Sequence, residues 1–114
     1  MALIISEGTV PSWFTPKKEL ENEDDPTRFN VKPLTGEQMT EVFFVLGDDL
    51  QLTYLSQKVL IKYGLIGWDN LIDDSNKSLE FNLENIGKLP PFVRVEIAAN
   101  IFENSKLGAE QRKN

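Results

Sequence analysis

The sequence contains neither cysteine nor histidine among its 114 residues. Without cysteine there is no disulfide framework and no thiolate zinc site, so stability must come from an apolar core, and the composition agrees with a reducing compartment. Without histidine the chain lacks the commonest general base, the usual metal ligand and the near-neutral pH switch. Nucleophilic catalysis by a Ser-His or Cys-His pair is therefore excluded.

Long apolar runs are also missing. The longest uninterrupted run, Val42–Leu46, is far shorter than the ~20 residues that a membrane-spanning helix needs. The apolar start Ala2–Ile5 has no basic residue before it and is soon followed by Glu7, so it does not match a secretory signal. We expect a protein that does not enter a membrane and stays in the cytoplasm where it is made.

Basic residues are outnumbered by acidic ones, 12 against 18, which gives a formal net charge of −6. A mean field of this sign repels a phosphate backbone. The only dense basic pair, Lys17-Lys18, is followed directly by an acidic run that ends at Asp25. No nucleic-acid partner is expected.

The remaining composition, 40% apolar and 26% charged, is ordinary for a globular domain. A chain of this length folds as one domain that removes roughly two thirds of its unfolded surface from water. Charge and proline content divide it into a flexible arm and acidic loop over 1–25, a helical core domain over 26–108, and a frayed tail over 109–114.

Hydrophobic periodicity predicts a mainly α fold with some β structure (α+β). We expect a small helical domain with an antiparallel helix pair, a C-terminal helix, and one or two short β-strands or a hairpin. Thr27–Lys32 alternates as a half-buried strand does, and Thr35 with Gln38 forms a capping-box pattern at the first helix start. Gly47 is expected to close that helix. Its predicted inner face consists of Met39, Val42, Phe43 and Leu46.

The second helix is predicted from about Leu50 to Tyr63, with Asp48 and Asp49 as its caps and Gly64 as a left-handed stop. Its predicted inner face consists of Leu52, Leu55, Val59 and Tyr63. Beyond an apolar connector over 65–71, Ile72 is expected to pair with Leu79 and Phe81 across a polar turn at 73–77.

Asn82 is expected to cap a short helix over 83–87. Pro91 then suits the first turn of a last helix, Phe92 to about Ser105, which Gly108 ends.

Both the first and the last helix carry more apolar positions than one face requires. Phe44 and Val45 lie off the predicted inner face of the first helix. Ile97 and Ile101 lie off that of the last, which consists of Phe92, Val95, Ala99 and Phe102. Either these helices are central and buried, or each presents a second face to a partner.

The aromatic pair Trp13-Phe14 leaves the same alternatives open, since it can fold back onto the core or bind a partner. The partner-binding candidates are Trp13, Phe14, Phe44, Val45, Trp68, Ile97 and Ile101.

No catalytic or ligand-binding motif is present. The glycines are scattered singly, which excludes a glycine-rich phosphate loop. Two carboxylates suffice for glycoside hydrolysis, but Asp24-Asp25, Asp48-Asp49 and Asp73-Asp74 fall at predicted loops and helix starts, where capping and solvation explain them. A calcium loop from Asp74 is rejected because Leu79 and Asn85 replace its required glycine and glutamate. We predict no catalytic, cofactor-binding or metal-binding residue, and no enzyme.

A series of features along nearly the whole chain resembles the tail assembly chaperones of long-tailed bacteriophages. The features are Trp13 with Pro16, Pro26-Thr27-Arg28-Phe29, Lys32-Pro33-Leu34-Thr35 at a helix start, Gly64-Leu65, Gly67-Trp68 with Asn70, Leu89-Pro90 before the last helix, and Lys113-Asn114. The resemblance implies a non-virion helper in the host bacterial cytoplasm. It would bind the long apolar tape measure protein and keep it soluble until tail tube subunits polymerise around it.

The same resemblance implies self-association, the tail tube protein as a second partner, and no cofactor. A second hypothesis is a structural connector or tail completion protein of the virion, which would also be small, acidic and non-enzymatic. An enzyme acting through carboxylates alone is the third.

Overall fold

The computed structural model describes residues 11–17 and 26–111 as a small α+β domain, as predicted. In chain order its elements are β1 (Ser12–Phe14), β2 (Arg28–Val31), α1 (Gly36–Phe44), a 3-10 turn (Asp48–Leu50), α2 (Tyr54–Gly64), β3 (Leu65–Asp69), α3 (Leu83–Ile86) and α4 (Pro91–Gln111). The other residues of the predicted arm, acidic loop and tail lie outside the described ranges.

The three strands form one antiparallel sheet in the order β1-β2-β3. Along the central strand, Phe29 and Val31 are buried while Arg28 and Asn30 lie on the other face, which confirms the predicted alternation. Strand β1 comes from the segment predicted as an arm, and β3 from the segment predicted as a connector. The sheet is therefore larger than the one or two strands that local patterns predict.

Helices α1 and α2 form the predicted antiparallel pair. Thr35 and Gln38 make the predicted capping box at the start of α1. The hydroxyl of Thr53 donates to the carbonyl of Val45 (2.7 Å) at one end of the pair. At the other end the hydroxyl of Tyr63 donates to Glu41 (2.9 Å). The two chain directions are therefore opposite.

The predicted start of α2 is wrong. Asp48 and Asp49 do not cap it, because they belong to a separate 3-10 turn in which Asp49 has a left-handed φ of 62°. The cap is instead Thr53, whose amide donates to the Ser56 hydroxyl (2.6 Å) and whose own hydroxyl accepts from the Ser56 amide (3.1 Å). This reciprocal pair fixes the first turn of α2 at Tyr54.

The predicted inner face of α2 is wrong at Leu55, whereas its other members, Leu52, Val59 and Tyr63, are half-buried and pack against the core. Ser56, Leu60, Ile61 and Gly64 are the buried residues, whereas Leu55 is exposed. Gly64 is not a left-handed stop, since no glycine in the described part of the chain has a positive φ. It is the last residue of α2 and lies against Ile101, where a methyl group on Gly64 would meet Cγ2 at 2.6 Å. Small residues let α2 approach α4 closely.

Helix α4 begins at Pro91 as predicted but continues past Gly108 to Gln111. Its buried apolar residues are Ile97, Ala98 and Ile101. The packing of α4 against α2, together with the inner face of the sheet, forms the core. The buried hydroxyl of Ser105 accepts from the amide of Leu34 (2.9 Å) and donates to the carbonyl of Ile101 (2.7 Å). The segment before α1 is thereby held to α4.

The predicted hairpin and short helix are present between β3 and α4. Ile72 and Ser78 form an antiparallel bridge, and the carboxylate of Asp73 accepts from the amides of Ser75 and Lys77 at 2.8 and 3.0 Å. Asn82 then caps α3 by accepting from the Asn85 amide (2.8 Å).

Candidate protein-binding surfaces

The structure divides the residues predicted to bind a partner into three groups by exposure. Ile97 and Ile101 are fully buried, Phe14, Val45 and Trp68 are half-buried, and Trp13 and Phe44 are exposed.

Ile97 and Ile101 are core residues, and the structure decides between the two alternatives for the last helix. Both side chains have no exposed surface. They lie on the face of α4 that packs against α2, and Ile101 is in contact with Gly64. A partner cannot reach either residue in this fold, so their assignment as binding residues is corrected.

Trp68 occupies an aromatic cluster under the sheet. Its ring meets Phe29 edge-on at a centroid distance of 6.3 Å and Phe81 at 4.9 Å. Its indole Nε1 donates to the carbonyl of Leu79 (2.8 Å). Edge-on aromatic pairs of this kind contribute about 0.5–1.5 kcal/mol beyond area burial. Trp68 therefore anchors the loop after β3 to the sheet.

Trp13 lies on the outer face of the sheet, where it is half exposed. The guanidinium of Arg28 stacks over its ring at 4.7 Å from the centroid. Arg28 also forms an ion pair with Asp69 (2.6 Å) on the neighbouring strand. Trp13 is thus held in place by the sheet, while its neighbour Phe14 points inward and packs on the core.

Two of the most exposed apolar side chains lie at the junction of α1 and α2, which we call the α1–α2 corner. Phe44 is 89% exposed and Tyr54 is 85% exposed. The corner consists of Phe44, Val45, Tyr54, Leu55 and Val59, whereas the ring of Phe43 meets Phe102 of α4 edge-on at a centroid distance of 6.4 Å. Between the helices runs an open groove of about 370 Å³, lined by Thr40, Glu41, Phe44, Val45 and Val59.

Local sequence explains why these side chains face outward. Thr53 caps α2 and bonds to Val45, so the chain reverses sharply, and the amide of Gly47 closes the reversal on the Gln51 carbonyl (2.9 Å). Tyr54 and Leu55 then form the first turn of α2 beside the last turn of α1. The helical face that carries Met39 and Val42 is buried, which leaves Phe44 on the opposite side.

Acidic side chains outnumber basic ones at the α1–α2 corner, four against the two lysines of α2, Lys58 and Lys62. From Pro33 to Gln57 the sequence has no lysine or arginine, and its acids are Glu37, Glu41, Asp48 and Asp49. None of these carboxylates forms an ion pair within residues 11–17 and 26–111. Glu41 lines the groove and accepts the hydrogen bond from Tyr63.

That hydrogen bond raises the pKa of Tyr63 above its ordinary value of 10.0, because the carboxylate of Glu41 stabilises the neutral phenol that donates to it. Partial desolvation and the charge of Glu41 act in the same direction. The bond therefore stabilises the fold below pH 10.0, and this contribution is lost as the pH rises through the raised pKa.

We expect Glu41→Ala to lower the pKa of Tyr63 toward that of a free phenol, because both the hydrogen bond and the charge are removed. The chain has two tyrosines, so absorbance titration of tyrosinate in a Tyr54→Phe background reports Tyr63 alone. Glu37→Ala, one turn earlier on α1, is the control and leaves the titration unchanged. An identical pKa with and without Glu41 would contradict the contact.

A second apolar surface lies between the end of β1 and α4. The α4–β1 groove of about 420 Å³ has Phe14, Val95 and Ala99 as its apolar lining. The backbone amide of Lys17 donates to the carboxylate of Glu96 (3.2 Å) at its rim. Of the α4 face that sequence periodicity predicts to be inward, Phe92 and Val95 are thus exposed, whereas Phe102 packs partly against the core.

Among the residues that the structure describes, no cluster of three or more acidic side chains is arranged to hold a metal ion. No helix in this part of the chain has the length and apolarity needed to cross a membrane.

No protein-family model, curated protein or solved structure matches the chain. The likeness to tail assembly chaperones therefore rests on the residues quoted above.

Proposed function

We propose that the chain is a non-enzymatic tail assembly chaperone of a bacteriophage, which binds the tape measure protein and keeps it soluble until the tail tube polymerises. The observation that carries the proposal is the α1–α2 corner. It exposes Phe44, Tyr54 and Leu55, and Phe44 also lines an open groove. Exposed apolar patches of this kind mark protein interaction sites, and aromatic side chains supply much of the energy at such sites.

An amphipathic helix is the client that such a surface suits. Its apolar face can cover the corner while its polar face stays in water, as in other helix-in-groove complexes. The net charge of −6 keeps a complex with a long apolar client dispersed by mutual repulsion.

The resemblance and the corner support the proposal separately, because they rest on different residues. Thr35 caps α1, Leu34 and Leu89 are buried, and Trp68 packs under the sheet. These residues of the resemblance hold the fold together. Phe44 and Tyr54, in contrast, contribute little to the core and are left for a partner.

Co-expression with the tape measure protein tests the proposal. We expect the soluble fraction of that protein to rise and a complex to elute from a sizing column. Phe44→Ser should remove most of the effect, because it deletes the central apolar side chain of the groove. Leu83→Ser is the matched control: Leu83 is 85% exposed but lies on α3, so this variant should retain the effect.

Unchanged solubility of the tape measure protein, with no complex on the column, would overturn the chaperone proposal. Mass spectrometry of purified virions separates it from the structural alternative. A chaperone is absent from the particle, whereas stoichiometric copies in the virion would establish a connector or tail completion protein instead.

A further inference from the structure

We propose that the α1–α2 corner selects a basic amphipathic helix and rejects an acidic one. The proposal rests on the proposed function for its choice of surface, and it adds the chemistry of the segment that the surface binds. The occupant has an apolar stripe that enters the groove and lysine or arginine side chains along its flanks.

The apolar part of the occupant follows from the shape of the corner. Phe44 at the end of α1 and its C-cap Val45 line the groove together with Val59 of α2, and the two helices run in opposite directions. A third helix laid along this groove places side chains at i, i+3, i+4 and i+7 against both walls.

The basic part follows from the net acidic charge of the rim. Glu37, Glu41 and Phe44 share one exposed face of α1, since they are spaced four and three residues apart. Asp48 and Asp49 follow at the end of α1, in the turn that closes the corner. No described lysine or arginine forms an ion pair with them, and the two lysines of α2, Lys58 and Lys62, leave the corner net acidic, so a cation on a bound helix gains attraction and an anion meets repulsion.

The same charges argue against a second copy of this chain as the occupant. A two-fold contact between corners would bring the acidic rims of both copies together, because a symmetric interface uses the same patch twice. Like charges that face each other across an interface disfavour the contact. The corner is therefore complementary to a partner of opposite charge.

The test uses two fluorescein-labelled model peptides with leucines at helical spacing, one with lysine and one with glutamate at the remaining positions. We expect the leucine-lysine peptide to bind the whole chain at least ~10-fold more tightly by fluorescence anisotropy, and its affinity to fall as salt is raised. Phe44→Ser should abolish binding, because charge alone does not hold an apolar peptide face.

Two charge reversals separate a local effect from the overall charge. Asp48→Lys at the corner and Asp74→Lys in the loop after β3 change the net charge equally, and both aspartates are exposed. We expect Asp48→Lys to weaken the leucine-lysine peptide by about 5–10-fold and Asp74→Lys to change its affinity by less than about 2-fold. Equal effects of the two reversals would overturn the proposal.

Equal affinity of the wild-type chain for the two peptides would overturn charge selection as well. It would leave the proposed chaperone function standing, because an apolar groove can bind a client of any charge. Failure of the co-expression experiment, with the peptide preference intact, would overturn the function and leave the specificity of the corner standing.

Discussion

Replacing Gly64 with alanine is expected to lower the free energy of unfolding by about 1–2 kcal/mol. The new methyl group would lie 2.6 Å from Cγ2 of Ile101, 2.8 Å from its Cδ1 and 3.0 Å from its Cγ1. Ile101 is fully buried between the helices and has no space to retreat. Overpacking of this kind costs about 1–3 kcal/mol, and it outweighs the gain of about 0.4–1 kcal/mol from the less flexible unfolded chain.

Urea unfolding followed by tryptophan fluorescence measures the effect. Gly36→Ala is the control, because nothing lies within 4 Å of its added methyl group, and it should be neutral or slightly stabilising. The double variant Gly64→Ala/Ile101→Ala identifies the cause. Truncating Ile101 should cost at least about 1 kcal/mol less in the alanine background than in the wild type. Additive effects would mean that α2 and α4 do not approach each other at Gly64.

The features that the sequence predicts correctly depend on neighbouring residues. Each of these signals lies within a few positions of the chain, because caps and strand faces are local geometry. This holds for the capping box of Thr35 and Gln38, for the cap at Asn82, and for the alternation of Phe29 with Val31 along β2. The turn at Asp73 belongs to the same class, since its carboxylate bonds to nearby amides.

The inner faces of α2 and α4 were not predictable in this way. On α2 the close contact uses Ser56 and Gly64, whereas hydrophobic periodicity selects large side chains such as Leu55. On α4 two apolar faces are present, and the close approach of α2 determines which is buried. Strand β1 depends on pairing with β2, and β3 depends on the same partner. Such choices are made by packing between distant segments.

The candidate site was predicted only in part. Phe44 and Val45 were identified because they exceed what one helical face can bury. Leu55 was missed because hydrophobic periodicity assigns its large side chain to the inner face, and Tyr54 was missed because the predicted second helix begins too early to place it in the first turn. The signal that corrects it is Thr53 followed three residues later by Ser56, a capping pair that starts α2 at Tyr54.

Replacing Ile97 with alanine is expected to lower the free energy of unfolding by about 2–5 kcal/mol, because a fully buried side chain leaves a cavity between α4 and α2. Phe44→Ala should change it by less than about 0.5 kcal/mol, since the ring is almost entirely in water. Urea unfolding measures both changes, and we expect the slope of the unfolding free energy against urea concentration to stay the same in both variants.

Client binding should show the reverse order under conditions where both variants are folded. Phe44→Ala should lose the client, while folded Ile97→Ala should retain it. A stable Ile97→Ala protein that no longer binds its client would contradict the buried position of Ile97 and return that residue to the binding surface.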